Sequence, residues 1–133
     1  MTGSLDASGL LGLMPFAGAL GIVLDAATAD EVRGHLDWDE TKCTAGGILH
    51  GGVLMSLADS VGAVCAFLNL PPGATTSTIE SKTNFFRGVR AGSLHAVSHP
   101  LHVGRSTIAV QTELHDDEQR RVGITLQTQA VLT

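Results

Sequence analysis

The feature that most constrains this chain is a long uncharged stretch that contains a single acid. Between Lys42 and Glu80 the only Asp, Glu, Lys or Arg residue is Asp59. The apolar residues of the stretch predict a helix over about residues 51–68, and the sequence LPPGA ends it because proline cannot continue a helix. The acid therefore lies about two turns inside a helix that offers it no charged partner.

The two sides of this predicted helix are both apolar. At about 100° per residue, one side collects the residues that a sheet would cover: Val53, Leu54, Leu57, Val61, Val64, Cys65 and Leu68. Asp59 lies on the opposite side, where its neighbours are Met55, Gly62, Ala63 and Ala66. A back face without other charges predicts burial by a second copy of the chain, with the small residues permitting close approach. The alternative is a carboxylate that only hydrogen-bonds to a loop.

The rest of the chain predicts strands around this helix. A short helix over residues 5–14 should stop at Pro15, and two strands follow at residues 20–27 and 31–38. After Gly73 the hydrophobic period changes to two, which predicts strands at residues 76–87, 93–103, 105–115 and 120–132. In the last strand Val122, Ile124 and Leu126 alternate on one face. The fold class is therefore α+β, with one long helix against about six antiparallel strands.

Composition limits the possible partners. The 133 residues, of which 44% are hydrophobic and 16% charged, predict a single domain over residues 1–133. A formal net charge of −5 argues against nucleic acid or an anionic membrane as the main partner, but it allows a small phosphate-bearing ligand. Cys43 and Cys65 fit no metal or redox spacing, and the N-terminus lacks the basic region of a secretory signal. We expect a cytoplasmic protein with reduced thiols.

The entrance of the helix predicts an acceptor site for a carbonyl oxygen. The chain enters through Gly51 and Gly52, whose backbone N–H groups have no partner within the helix and no Cβ to obstruct a ligand. Asp59 is eight residues further on, or about 12 Å at 1.5 Å per residue. If helices of two chains ran antiparallel, Gly51 of one could face Asp59 of the other. Such a shared site would combine an oxyanion donor with a base or nucleophile.

Three motifs carry a resemblance to a known family: HGGVLMSLADSVG, NFFRGVRAG and PLHVGRST. From about Gly47 to the C-terminus the chain resembles the hotdog-fold acyl-CoA thioesterases, in the branch of the phenylacetate-degradation, 4-hydroxybenzoyl-CoA and 1,4-dihydroxy-2-naphthoyl-CoA thioesterases. The resemblance implies a helix wrapped by a curved sheet, a homodimer that pairs into a homotetramer, and an acyl-coenzyme A substrate with no separate cofactor.

The resemblance also implies roles for individual residues. Asp59 would be the general base or nucleophile, Gly51 would polarise the thioester carbonyl, and His50 would orient the substrate. Coenzyme A would be held by Thr78, Phe85, Phe86, Arg87, Gly88, His102, Gly104, Arg105, Ser106 and Thr107. Two positions depart from the family: Thr44 replaces an Asn or Gln that contacts substrate or water, and Ala63 replaces a Ser or Thr. Both departures bear on the acyl preference and on the water-positioning group.

Other chemistries fit the sequence less well. No G-x-S-x-G elbow occurs, and the spacing of His95, His99 and His102 lacks an accompanying carboxylate, with Pro100 expected to interrupt that strand. Of the adjacent Phe85 and Phe86, one is expected to enter the core. Arginines at strand ends could serve solubility or bind phosphate. A hydratase or dehydratase and a non-catalytic acyl-CoA or aromatic-ligand binding protein remain the alternatives.

Overall fold

The computed structural model describes residues 7–133, so the first two residues of the helix predicted from residue 5 lie outside the described part. Residues 7–133 contain three α-helices, α1 (Ala7–Gly12), α2 (Pro15–Ala19) and α3 (Gly51–Phe67). The six strands are β1 (Val23–Ala27), β2 (Val32–Asp37), β3 (Thr75–Phe85), β4 (Ser93–Val103), β5 (Thr107–His115) and β6 (Arg121–Leu132). Two short 3₁₀ turns, Glu40–Lys42 and Ala45–Gly47, lead into α3. No described helix combines the length and hydropathy that a bilayer crossing needs.

The six strands form one antiparallel sheet in the order β1-β2-β4-β5-β6-β3. Helix α3 contacts every strand of this sheet, so the sheet curves around the helix. The arrangement is the hotdog fold that the sequence predicts, and the predicted helix and last four strands match within three residues at each end.

The hydrophobic core lies between the front of α3 and the strands β2, β4 and β5. Its largest fully buried members include Leu36 on β2, Leu57 and Val61 on α3, Leu94 on β4 and Ile108 on β5. The alternation of buried and partly exposed residues along β4 and β5 is the period-two pattern of a sheet with one covered face.

Helix α2 is absent from the sequence prediction. Proline ends a helix that precedes it, but it also fits the first turn of a new one, where its missing N–H has no partner to lose. Pro15 takes this first position of α2, and Ala17 buries itself in the core. The expected strand therefore begins only at Val23.

The prediction that Pro100 interrupts its strand is wrong. Strand β4 continues through Pro100, which lies opposite Val110, and the register shifts just after it. Such a shift accommodates a residue without a backbone N–H.

The apolar residues of β6 that were predicted to share one face lie on both faces of the strand. Val122 is fully buried, but Leu126 is 44% exposed, so the two do not share an environment. The register between β5 and β6 shifts from Leu114 opposite Gly123 to His115 opposite Arg121, and a bulge of this kind turns the following side chains to the other face. Beyond the bulge the buried residues are polar: Thr125, Gln127 and Gln129.

The back of α3 is covered by its own chain at two of the positions that were assigned to a second copy. Gly62 and Ala66 are both buried within the single chain. A methyl group built on Gly62 would overlap Oε1 of Gln127 on β6. The small residue at position 62 therefore admits a side chain of the sheet, which wraps further around the helix than the helix pattern indicates. Ala63 and Met55 remain partly accessible.

Candidate active site

Asp59 is half-buried and is held by two side chains of the sheet. Its Oδ1 atom accepts a hydrogen bond of 2.9 Å from the Thr78 hydroxyl on β3. The same oxygen accepts a second bond of 2.9 Å from Nε2 of Gln127 on β6. Its other oxygen, Oδ2, has no hydrogen-bond partner among the described residues. The lone acid of the helix therefore bonds to strands rather than to a loop, and it retains one uncommitted oxygen.

A second layer of polar groups orients Thr78. Nε2 of Gln129 donates a hydrogen bond of 2.7 Å to the Thr78 oxygen, which leaves the Thr78 proton directed at Asp59. The Thr76 hydroxyl in turn lies 3.1 Å from Oε1 of Gln129. Gln127 and Gln129 are only 2% and 1% exposed, whereas Thr78 is exposed, so a buried amide and an exposed hydroxyl together hold the carboxylate. The bond from the buried amide is the better shielded from water, and hydrogen bonds to a charged group are stronger there.

Sequence reasoning missed Gln127 and Gln129 and placed Thr78 among the ligands of coenzyme A. The bulge near Gly123 is the cause, since the pattern of β6 assigned its covered face to the apolar residues instead. A usable signal was present in the repeat of Thr125, Gln127 and Gln129, which fills the other face with amides and a hydroxyl. Only the register of the sheet shows that this face covers the helix.

The entrance of α3 offers one backbone donor. The His50 side chain caps the helix, because its Nδ1 atom accepts a bond of 2.8 Å from the Gly52 N–H. The Gly51 N–H has no acceptor among the described residues and remains available to a ligand. A methyl group built on Gly51 would lie 3.3 Å from Cζ of Phe85, so this ring stands beside the donor. His50 can reach a substrate only through its other ring nitrogen.

Neither of the adjacent phenylalanines enters the core, which corrects the expectation that one would. Phe85 is 50% exposed and Phe86 57% exposed. Strand β3 ends at Phe85, and the ring of Phe85 lies beside Gly51 at the start of α3. An apolar part of a ligand could pack on this ring at the helix entrance.

The residues predicted to bind coenzyme A lie at opposite ends of the sheet. Phe86, Arg87 and Gly88 follow β3 beside Val122, and the Phe86 and Arg87 N–H groups donate to its carbonyl. The turn formed by His102, Gly104, Arg105, Ser106 and Thr107 lies at the other end of β6, where the Ser106 carbonyl accepts from the Val131 N–H. Nine residues of strand separate positions 122 and 131, or roughly 30 Å at 3.3 Å per residue.

These two clusters flank Asp59 within one chain. Gln127, which holds Asp59, lies between positions 122 and 131 of β6. The Thr44 N–H donates to the carbonyl of Ile48, two residues before His50, so Thr44 lies on the loop that leads to the helix entrance. Neither the Arg87 nor the Arg105 side chain has an ion-pair partner among the described residues.

An apolar cavity of about 190 Å³ lies one to two turns beyond Asp59 on the same helix. Ala63 and Phe67 of α3 form one wall, Leu10 and Leu13 from the α1 region form another, and Thr76 of β3 completes it. Ala63 lies one helical turn beyond Asp59, and Thr76 lies two residues before Thr78, so the cavity begins about one turn from the acid, which does not itself line it.

Other reactive groups are less suited to chemistry. Burial raises the pKa of the Cys65 thiol to about 11, so this group stays protonated at neutral pH. His95 bonds to Asp117 and His99 lies 3.2 Å from the Asp30 carbonyl, both away from Asp59. Within residues 7–133 no three His, Cys, Asp or Glu side chains are grouped closely enough to hold a metal ion.

Comparison with known proteins places the chain in a family. The sequence model of the thioesterase superfamily matches residues 46–122, which include α3, β3, β4 and β5. The chain belongs to the thioesterase superfamily. It is therefore a thioester-hydrolysing enzyme, as the resemblance predicts, and the superfamily match covers both Asp59 and the glycine entrance.

Individual members of the superfamily cover most of the chain. The 1,4-dihydroxy-2-naphthoyl-CoA hydrolase of Escherichia coli is 28% identical over 129 residues, which span 97% of this chain and 95% of the relative. A proofreading thioesterase of Cronobacter sakazakii is 28% identical over 102 residues, 77% of this chain and 74% of that protein. The crystal structure of a thioesterase from Haemophilus influenzae superposes with a TM-score of 0.92 at 26% identity, covering 98% of this chain and 92% of the other.

Proposed function

We propose that this thioesterase hydrolyses an acyl-coenzyme A whose acyl group is aryl or of medium size, releasing the free acid and coenzyme A. The observation that carries the proposal is the Oδ2 atom of Asp59, which has no hydrogen-bond partner among the described residues, together with an apolar cavity of about 190 Å³ that begins one helical turn away at Ala63. The acyl group would occupy the cavity, so that its carbonyl carbon lies next to the acid. The E. coli relative named for 1,4-dihydroxy-2-naphthoyl-CoA supports this class of substrate.

Asp59 supplies the reacting group of the proposed site. Its carboxylate would either take a proton from water, which then attacks the carbonyl, or attack the carbonyl itself. Direct attack would form an acyl anhydride on Asp59, which water then hydrolyses. In both routes the thioester C–S bond breaks, the OH of water is added to the acyl carbon to give the free acid, and the remaining water proton passes to the sulfur of coenzyme A. Thr78 and Gln127 do not titrate near neutral pH. Because neither side chain that bonds to Asp59 can act as a second acid or base, the site favours hydrolysis over hydration, which needs one.

The site would be completed by a second chain. Within one chain Gly51 lies beside Phe85 and Asp59 beside Thr78, seven residues apart on β3. The carbonyl of one thioester cannot readily meet both groups of one chain, but antiparallel helices of two chains would bring Gly51 to the partner's acid. The same pairing would bring Arg87 of one chain towards the Arg105 end of the other. We therefore propose a homodimer that pairs into a homotetramer.

The remaining features of the proposal follow from composition. No cofactor is required, because coenzyme A is part of the substrate. The net charge of −5 and the thiols of Cys43 and Cys65 favour a cytoplasmic enzyme without a nucleic-acid or membrane partner.

The test is thiol release from a panel that includes benzoyl-, phenylacetyl- and hexanoyl-coenzyme A, measured for the natural chain and for Asp59→Asn against an enzyme-free blank. We expect turnover of at least one member by the natural chain and a rate roughly 10²–10⁴-fold lower in the variant. Tight binding of the panel without turnover by the natural protein would instead favour the non-catalytic alternative. Turnover retained in Asp59→Asn would contradict the assignment of the acid.

Two controls separate the coenzyme A contacts from the chemistry. Arg87→Ala and Arg105→Ala should each raise KM about tenfold and leave kcat nearly unchanged, since phosphate contacts are made equally in the ground and transition states. Neither change should affect hydrolysis of a short pantetheine thioester that lacks the nucleotide. Equal losses on both substrates would show that the arginines do not bind phosphate.

A further inference from the structure

Gln127 stands in an unusual position for a buried amide. It lies on the covered face of β6, is 2% exposed, and its Nε2 atom is 2.9 Å from Oδ1 of Asp59. An ionised carboxylate can only accept hydrogen bonds, so the NH₂ group of the amide must face the acid. The orientation of this side chain is thereby fixed by Asp59.

The other end of the amide has no hydrogen bond. Oε1 of Gln127 is buried and has no partner among the described residues. A buried acceptor without a partner costs free energy, and an apolar side chain of similar size would avoid that cost. The oxygen faces Gly62, three residues after Asp59 on α3, where any Cβ would overlap it. The Gln127 amide donates to Asp59, and the absence of a side chain at Gly62 leaves room for that amide.

The two oxygens of Asp59 consequently differ. Oδ1 receives the Thr78 hydroxyl and the Gln127 amide, whereas Oδ2 receives nothing from the described residues. Two donors from neighbouring strands fix the carboxylate plane in a way that one donor cannot, because a single bond leaves rotation about it free. Oδ2 is the oxygen left to react.

We propose that Gln127, seated against Gly62, is a positioning residue that holds Asp59 so that Oδ2 faces the thioester or the attacking water. The inference rests on the proposed role of Asp59 and applies whether the acid acts as base or as nucleophile. Gln127 does not touch substrate. Its effect passes entirely through the orientation of the carboxylate.

The first test replaces the amide by an unbranched apolar side chain of similar length. Gln127→Met should lower kcat about 100-fold, the loss expected when a reacting group is misplaced by about 1 Å, while KM for benzoyl-coenzyme A stays nearly the same. The melting temperature should not fall, since an unpaired buried oxygen is removed together with the donor.

The matched control is Thr125→Val on the same face of β6. Thr125 is fully buried, and its hydroxyl lies 2.7 Å from that of Thr83, without contact to Asp59. The Thr125→Val variant should have a lower melting temperature but an unchanged kcat. If Gln127→Met and Thr125→Val behave alike in both quantities, Gln127 has only a structural role and the inference is wrong.

The second test approaches the same bond from the helix. Gly62→Ala should lower kcat because its methyl group displaces the Gln127 amide, although the change introduces no polar group and favours the helix. In the background of Gln127→Ala there is no amide to displace, so adding Gly62→Ala should cause no further loss of kcat. Independent losses that multiply in the double variant would overturn the proposed route through Gln127.

Asp59→Asn separates this inference from the function on which it rests. An inactive Asp59→Asn together with a fully active Gln127→Met would leave the proposed function intact and reject the positioning role. An active Asp59→Asn would reject the proposed function itself, and the positioning role with it.

Discussion

The two halves of the sheet that surround α3 differ in what they place against the helix. Strands β2 and β4 present fully buried apolar side chains such as Val32, Leu36 and Leu94. Strands β3 and β6 present hydroxyls and amides instead: Thr76, Thr78, Thr83, Thr125, Gln127 and Gln129. One helix is thus held between an apolar half and a polar half of the same sheet.

The difference separates stability from chemistry. Burying a leucine side chain contributes roughly 1.5–3 kcal/mol, whereas a typical hydrogen bond contributes about 1 kcal/mol net. The polar half even leaves Oε1 of Gln127 and the Ser81 hydroxyl oxygen buried without a partner among the described residues. It therefore stabilises the fold less than an apolar surface would, and within it the bonds of Thr78, Gln127 and Gln129 lead to the acid.

The largest expected effect is on activity, from the polar half. Asp59→Asn keeps the size of the side chain but removes its charge, and it should lower kcat by roughly 10²–10⁴-fold, the range of general acid–base catalysis. The melting temperature should change little, because Asp59 is only half-buried. Thiol-release kinetics and calorimetry on the same preparation measure both. A large fall in melting temperature would mean that Asp59 stabilises the fold as well as taking part in the reaction.

The complementary change in the apolar half should affect stability alone. Leu94 is fully buried, so Leu94→Ala should lower the free energy of unfolding by roughly 2–5 kcal/mol. The kcat of the protein that remains folded should stay near that of the natural chain. Urea unfolding and active-site-normalised rates at low temperature provide the two numbers. A fall in kcat as large as that expected for Asp59→Asn would contradict the assignment of the apolar half to stability alone.

The helix entrance should depend on a backbone N–H rather than on a side chain. Gly51→Pro removes that donor and should cost about 3 kcal/mol of transition-state stabilisation. Proline is compatible with the fold there, since Gly51 begins the helix and His50 has φ −61° and ψ 137°, which suit a residue before proline. Gly51→Ala retains the N–H and is the matched control. An equal loss in both variants would assign the effect to crowding of Phe85.

The smallest effect is expected outside both halves, in the turn between β5 and β6. Burial raises the pKa of Asp116, but bonds from the Arg120 N–H, the Arg120 side chain and the Glu118 N–H together hold it below the usual value of 3.8. A lowered pKa stabilises the fold while the group is ionised, and that contribution is lost as the pH falls through the folded-state pKa. Asp116→Asn should therefore lower the melting temperature slightly at pH 7.

The pH dependence provides the check on Asp116. The difference in melting temperature between the natural chain and Asp116→Asn should begin to shrink near about pH 4, where the carboxyl of the unfolded chain takes up its proton, and should vanish as the pH falls through the lower pKa of the folded state. Thioesterase activity at neutral pH should be the same in both. A difference that persists unchanged at acid pH would mean that the bonds of Asp116 do not depend on its charge.

The sequence predicted most of the fold because its periods are long and uninterrupted. The uncharged run that ends at LPPGA fixed the extent of α3 within one residue, and the period-two runs located β3 to β6. Helix α2 was missed because Pro15 is compatible with both the end and the start of a helix. Local patterns thus identify elements well where only one interpretation is sterically allowed.

The site was predicted only in part. Asp59 stands out because it is the lone charge of its stretch, and Gly51 because the helix begins there. Gln127 and Gln129 could not be found in the same way, since a bulge near Gly123 decides which face of β6 covers the helix. A shift of one residue reverses every side chain that follows, and the pattern of a single strand does not report it.

The proposed cooperation between Asp59 of one chain and Gly51 of another is tested most directly by mixing subunits. Inactive Asp59→Asn and inactive Gly51→Pro chains, differently tagged and allowed to exchange, form heterodimers with one intact site and one doubly altered site. Thiol release should then return in proportion to the heterodimer fraction, which native mass spectrometry determines. Heterodimers that form without any return of activity would show that each chain contains its own complete site.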